Sequence, residues 1–177
     1  MEEIKIRYAT IEDAGMLADL SWRTFYDAFA AHPKNAPDDL KAYMDEAFNV
    51  RQLGKELRDE KAIFLVAEIN GEPAGYAKLL LDTIEPGVSA EKPIELCRLY
   101  SEQKFLGKGI GAALMQWCLD EAKWRERDVM WLGVWEYNPR AQAFYRKWKF
   151  EECGSHVFQL GNDPQTDLLM QRRVNLK

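Results

Sequence analysis

The amino-acid sequence predicts a three-layer α/β fold in which a mixed, mostly antiparallel sheet of seven strands is flanked by helices. Three observations predict it. Strand-sized apolar runs and stretches of helical periodicity alternate in the order β, α, α, α, β, β, β, α, β, α, β, β. Asn70-Gly71 lies between two apolar runs, the strongest short-range hairpin signal. The chain has 177 residues, 47% hydrophobic and 30% charged, enough for one soluble domain with a substantial core. No repeat, low-complexity tract or linker divides it, so one domain over residues 1–177 is expected.

Ile4 to Tyr8 alternates apolar and polar residues, as a half-buried strand does. Thr10 opens a helix, with Asp13 completing a capping-box pattern, and Ala14, Leu17, Ala18, Ser21, Phe25 and Phe29 share one face. Pro37 starts a second helix to about Phe48, and Asn49 caps a third from Val50 to Asp59. Ala62–Ile69 and Pro73–Leu81 form the hairpin. Asp82 to Pro93, rich in Pro, Gly and acid, reads as a loop before a strand from Ile94 to Tyr100. A long helix spans about Gly109 to Arg127, a strand Val129 to Trp135, and a helix Asn138 to about Trp148. Strands from Phe150 to Leu160 and from Thr166 to Val174 flank a turn at Gly161–Gln165.

Composition excludes several classes of function. The net charge of −5 and dispersed Lys and Arg provide no basic face for nucleic acid. Cys97, Cys118 and Cys153 are odd in number and widely spaced, and with only two histidines neither a disulfide framework nor a metal site is expected. The N-terminal MEEIKIRYAT lacks the pattern of a signal peptide, and the longest apolar runs, such as AIFLVA at 62–67, are too short to span a bilayer. A cytoplasmic protein without membrane or nucleic-acid partners is expected.

Chemistry concentrates in two segments. LYSEQKFLGKGIGAALM, from Leu99 to Met115, joins a strand to a helix through Gly107, Gly109 and Gly111. Glycines let backbone N–H groups approach an anion, and the helix N-terminus adds its positive dipole end, so a phosphate or pyrophosphate is the natural guest. Lys108 is followed by Gly109 rather than Ser or Thr, which excludes a P-loop. Gly107, Gly109 and Ala112 formally fit the dinucleotide fingerprint. That fingerprint belongs after a first strand, whereas this turn lies past the middle of the chain. The second segment is WLGVWEYNPRAQAFYRKWKF, from Trp131 to Phe150. Asn138 caps its helix, and Tyr145, two turns on, shares the Asn138 face.

The pair of segments resembles the signatures of the GNAT acetyltransferase superfamily. These are Arg/Gln-x-x-Gly-x-Gly/Ala between a strand and a helix, and a later Asn-x-x-Ala-x-x-Phe-Tyr-x-x-x-Gly-Phe. The first reads here as Leu106, Gly107, Lys108, Gly109, Ile110, Gly111, and the second as Asn138, Ala141, Phe144, Tyr145 and Phe150. Leu106 stands where Arg or Gln is usual. Lys149 stands where Gly is common, which calls for a different helix cap. AFNVRQLGKEL, WLGVWE and GSHVFQLGNDPQTDLLM are similar to segments of bacterial spermidine/spermine N-acetyltransferases.

The resemblance implies direct acetyl transfer from acetyl-CoA to a primary amine such as spermidine or spermine, without a metal. Leu99, Tyr100 and Ser101 would pair with the pantetheine arm, and a backbone amide at Leu99 or Tyr100 would polarise the thioester carbonyl. Gly107, Lys108, Gly109, Ile110, Gly111 and Ala112 would hold the pyrophosphate, and Asn138 the pantetheine. Tyr145 would protonate the departing thiolate, and Glu95 is a candidate general base. Cys97 reads as a structural thiol in preference to an acyl-bearing nucleophile. Asp27, Asp38, Asp39, Asp45, Glu46 and Glu136 are candidates for an ammonium-binding wall, whereas His156 reads as a packed histidine. Two alternatives stay open: another amine or a protein N-terminus as acceptor, and a non-catalytic acyl-CoA-binding regulator. The resemblance also allows a homodimer, a frequent state in the superfamily.

Overall fold

A computed structural model describes residues 3–174. Its elements are β1 (Ile4–Tyr8), α1 (Ala14–Phe29), α2 (Pro37–Ala47), α3 (Val50–Leu57), β2 (Ala62–Ile69), β3 (Glu72–Leu81) and β4 (Pro93–Ser101). α4 (Ile110–Trp124), β5 (Val129–Trp135), α5 (Pro139–Lys147), β6 (Glu151–Leu160) and β7 (Asp163–Arg173) complete the chain. The seven strands form one sheet in the order β1-β2-β3-β4-β5-β7-β6. Every neighbouring pair is antiparallel except β4 and β5. The predicted fold class is the one observed.

Helices cover both faces of the sheet, which explains the continuous apolar run of β2. Ile63, Leu65, Ala67 and Ile69 point into a core closed by Ile110, Leu114, Met115, Cys118 and Ala122 of α4. Phe64 and Val66 point the other way, onto Leu17, Leu20 and Phe25 of α1, Met44 of α2 and Leu53 of α3. A strand buried on both sides loses the polar alternation of a solvated one. Among the described residues, no helix is long and apolar enough to cross a membrane.

Local signals account for most boundaries. The Thr10 N–H donates to Asp13 Oδ2 at 2.8 Å, closing the capping box, although a single 3-10 turn at Ile11–Asp13 precedes α1. Asn49 caps α3 by accepting the Gln52 N–H at 2.9 Å. Asn70 and Gly71 both have positive φ (53° and 79°), the turn required by the hairpin. β7 begins at Asp163, three residues before the predicted Thr166. Pro164 is tolerated there because β5 pairs with β7 only over residues 167–173, so its missing N–H leaves no rung unpaired on that side.

Both helices after the glycine turn end on a left-handed residue that is not glycine. In α5, Lys149 has φ 67°, its N–H donates to Arg146 O, and the Phe150 N–H donates to Tyr145 O at 3.1 Å. This is the Schellman arrangement, so the cap is the usual one with lysine in the glycine position. The expectation of a different cap is corrected. Glu126 (φ 54°) does the same for α4, which ends before the predicted Arg127 because sequence supplied no glycine to mark the stop. Lys149→Gly relieves the left-handed strain and is expected to stabilise the protein by about 0.5–1 kcal/mol. Thermal unfolding should then show Tm higher by about 2 °C. An unchanged or lower Tm would refute the strain.

Candidate active site

The parallel pairing of β4 and β5 lasts three residue pairs, Pro93–Val129, Ile94–Met130 and Glu95–Trp131, and then ceases. The separation begins where β4 carries a bulge. Lys78 pairs with Arg98 and Leu79 with Leu96, so Cys97 is the extra residue. A bulge bends its strand and increases the local twist, here turning the outer half of β4 away from β5. The gap is a cleft of about 690 Å³ reached from both faces of the sheet. Leu96 to Ser101 form one wall and Gly133 to Trp135 the other.

At one mouth lies the glycine turn. Gly107 (φ 81°) and Gly109 (φ 88°) both occupy the left-handed region, where an L side chain would be strained. Gly109 is the N-cap of α4, which starts at Ile110. The first N–H groups of a helix have no acceptor within it, so this turn offers backbone donors and a positive dipole end to an anion. Gly107, Gly109, Ile110, Gly111 and Ala112 all line the cleft. Lys108 does not; its ammonium lies 5.4 Å from the centre of the Phe105 ring. Leu106 is exposed at the rim and itself offers no side-chain donor where Arg or Gln is usual.

α5 supplies the next two candidates. Asn138 Oδ1 accepts the Ala141 N–H at 3.1 Å, and Asn138 and Tyr145 both line the cleft, as one shared helix face requires. Burial pushes the Tyr145 phenol well above its ordinary value, so it keeps its proton throughout the neutral range. Leu99, Tyr100 and Ser101 stand on the opposite wall.

The other end of the cleft is aromatic. Phe25, Phe29, Tyr43, Tyr100, Trp135 and Phe158 surround it. Tyr43 lies 5.0 Å from Phe25 and 5.1 Å from Phe158 between ring centres. Arg98 also lines it, fixed by Glu56 at 2.8 Å and packed on the Phe48 ring at 5.1 Å. Lys78 reaches the same Glu56 oxygen at 2.9 Å.

Most of the predicted carboxylates lie elsewhere. Of the candidates for an ammonium wall, only Asp27 lines the cleft, at its exposed rim. Asp39 accepts the Asn162 N–H at 2.8 Å, and Asp45 is engaged by Lys41 and by Trp22 Nε1. Asp38, Glu46 and Glu136 are exposed outside the cleft. Glu95 is the remaining carboxylate. It stands at the foot of the gap, off the cleft lining, and accepts the Thr83 hydroxyl at 3.1 Å. The bulge at Cys97 places Leu99 on the same face as Leu96, so Glu95 shares its side with Arg98 and Tyr100. Burial is the chief cause of Glu95's raised pKa. Burial also pushes the Cys97 thiol up to about 12, so it is no thiolate at neutral pH.

Sequence reasoning missed Asp167, a buried carboxylate that lines the aromatic end. Its signal was an acid inside the apolar alternation of TDLLM. Among the described residues, no group of three or more His, Cys, Asp or Glu is placed to hold a metal ion.

Comparison with known proteins gives a consistent picture. The family model described as "Acetyltransferase (GNAT) family" matches residues 16–150. An uncharacterised N-acetyltransferase from the pepI 3′ region of Lactobacillus delbrueckii subsp. lactis is 31% identical over 98% of this chain and 99% of its own. An uncharacterised N-acetyltransferase of Mycobacterium bovis is 33% identical over 92% and 98%. Among solved structures, the PaiA N-acetyltransferase of Thermoplasma acidophilum in complex with coenzyme A superposes with a TM-score of 0.74. It is 21% identical, covering 97% of this chain and 99% of that one.

Proposed function

Because this chain belongs to the acetyltransferase (GNAT) family and is an N-acetyltransferase, we propose that it transfers the acetyl group of acetyl-CoA to a primary amine of a polyamine, such as spermidine or spermine. The observation that carries the reading is the single cleft through the sheet, with an anion-binding turn at one end and aromatic rings around a carboxylate at the other. The donors present suit coenzyme A. Backbone N–H groups from Gly107 to Ala112 take the pyrophosphate, and the free edge of Leu99–Ser101 takes the pantetheine. Asn138 has its Oδ1 in the helix cap, which leaves its amide N–H groups to donate to the pantetheine. Acetyl-CoA supplies the activated acyl carbon. A backbone amide at Leu99 or Tyr100 polarises the carbonyl, and Tyr145 returns a proton to sulfur.

Two features support a polyamine acceptor. Aromatic faces attract ammonium groups and pack against methylenes, and Asp167 and Asp27 provide negative charge within the cleft and at its rim. The likeness of the WLGVWE and GSHVFQLGNDPQTDLLM segments to polyamine acetyltransferases points the same way. The aromatic lining also suits a second reading, a monoamine with an apolar body. Thiol release from acetyl-CoA is the deciding assay, run with spermidine, spermine, phenethylamine, several amino acids, an aminoglycoside and short peptides. Saturable release with spermidine or spermine, at kcat/KM about tenfold or more above the rest, is expected. Preference for phenethylamine would replace the polyamine with the monoamine, and acetyl-CoA binding without release to any amine would favour a sensor.

A further inference from the structure

His156 of β6 and Asp167 of β7 are cross-strand partners in the register of the sheet, and Asp167 is opposite Trp135 of β5. Their side chains meet above β5. His156 Nε2 is 3.5 Å from Asp167 Oδ2, and its Nδ1 is 3.8 Å from Glu85 Oε1 in the connection between β3 and β4. Both ring nitrogens thus face carboxylates at ion-pair distance. A proton on Nε2 faces Asp167 Oδ2 and favours the ionised carboxylate. The space they occupy exists because residue 133 is glycine. A Cβ there would lie 3.0 Å from His156 Nε2 and 3.1 Å from Asp167 Oδ2, closer than the pair can easily accept. Position 133 is itself on the cleft wall.

We propose that Asp167 is the carboxylate that receives the acceptor's ammonium and takes its proton, with His156 as the positioning residue that holds it ionised from the neighbouring strand. The inference rests on the acetyl-transfer reading above. Asp167 takes one proton from the ammonium, which frees the nitrogen lone pair to form the C–N bond as the C–S bond breaks. Tyr145 gives its phenol proton to sulfur and regains one from nitrogen through water. One proton per acetyl transferred passes to solvent as Asp167 reionises. Neither group is assigned this role by the family signatures, which lie in residues 106–111 and 138–150. The other titratable groups around the pair are few. Glu85 stands beyond the imidazole, Glu95 of β4 and Tyr43 of α2 are within electrostatic reach, Arg98 of β4 lines the same end of the cleft, and Asp27 of α1 lies at the rim. Across β5 the pair meets Gly133 between Trp131 and Trp135, with no charge. Burial raises the pKa of Asp167 and His156 opposes that rise.

The signs follow for the pH dependence. A base must be ionised, so kcat/KM of the wild type should fall as pH drops through the Asp167 pKa. Removing His156 removes the opposing effect, so the fall should occur at higher pH. The test measures thiol release against pH for wild type, Asp167→Asn, His156→Gln and Glu95→Gln, with amide NMR spectra to confirm folding. The ring resonances of His156, one of two histidines, are compared by NMR between wild type and Asp167→Asn. Asp167→Asn is expected to lower kcat/KM about 100-fold and abolish the acid limb. His156→Gln should keep the limb but move it upward, and Glu95→Gln should retain the limb. The His156 ring resonances should move in Asp167→Asn, because Nε2 then faces a neutral amide. An acid limb retained in Asp167→Asn, or lost in Glu95→Gln, overturns the proposal. So do His156 ring resonances indifferent to Asp167, which need no turnover to observe. Wild-type silence with every amine would instead sink the acetyl-transfer reading.

Discussion

Replacing Tyr145 with phenylalanine is expected to lower kcat by about 100- to 10,000-fold while leaving the Kd for coenzyme A within about twofold. The ring packs against Phe150 and Phe144 at 5.9 Å and 5.5 Å between centres, so phenylalanine keeps the core contacts and deletes only the hydroxyl. A departing thiolate without a proton donor is a poor leaving group from its tetrahedral adduct, which is why the loss should fall on kcat. Burial holds the phenol protonated, so wild-type activity should show no loss from Tyr145 ionisation as pH rises toward 10. Steady-state kinetics and calorimetry with coenzyme A separate the two effects. A Tyr145→Phe enzyme with wild-type kcat would reduce Tyr145 to a packing residue. A parallel loss of coenzyme A affinity would make it a binding one.

The largest effect on stability should come from Glu56→Gln, expected to cost about 3–5 kcal/mol. Glu56 lies between Lys78 and Arg98, and all three side chains are at most 13% exposed. Losing the carboxylate leaves two buried cations facing each other without their common partner. Burial raises the Glu56 pKa, but Arg98 and Lys78 outweigh it and hold the group below its ordinary value. A depressed carboxylate stabilises fully above its unfolded pKa of about 4.3, and that contribution is lost as pH falls through the folded value. Urea unfolding at pH 7 and at pH 4 should therefore show a difference between wild type and Glu56→Gln that narrows in acid. Adding Lys78→Met to Glu56→Gln should recover part of the loss, since one buried cation is then gone. A cost below about 1 kcal/mol at pH 7 would mean that water reaches the triad. Arg98 lines the cleft, so the double variant also tests whether its anchoring affects the KM of the amine.

Much of the glycine-turn end of the cleft was legible in the sequence. Gly107 and Gly109 announce a left-handed turn, Asn138 with Pro139 announces a helix start, and the seven-residue step to Tyr145 puts both side chains on one face. These are local rules, and the structure obeys them within a residue or two. The aromatic end was less legible because its residues are distant in sequence. Phe25, Tyr43, Trp135, Phe158 and Asp167 come from five different elements. Acidic residues on α2 looked suited to an ammonium, yet Asp39 and Asp45 are held in contacts of their own.

By itself the sequence determined the order and type of the elements, the hairpin at Asn70-Gly71 and the anion-binding turn, because each follows from periodicity, backbone freedom or capping within a few residues. Tertiary structure alone decided where the sheet opens and which carboxylate stands in the opening. The bulge at Cys97 depends on how β4 registers against β3, and it puts Arg98 and Tyr100, in place of Leu99, on the face that Glu95 shares. Asp167 enters the cleft because β7 lies between β5 and β6, bringing His156 beside it over a glycine that leaves room for both. Strand pairing over long sequence separations carries no periodic signal, so only packing could set these neighbours.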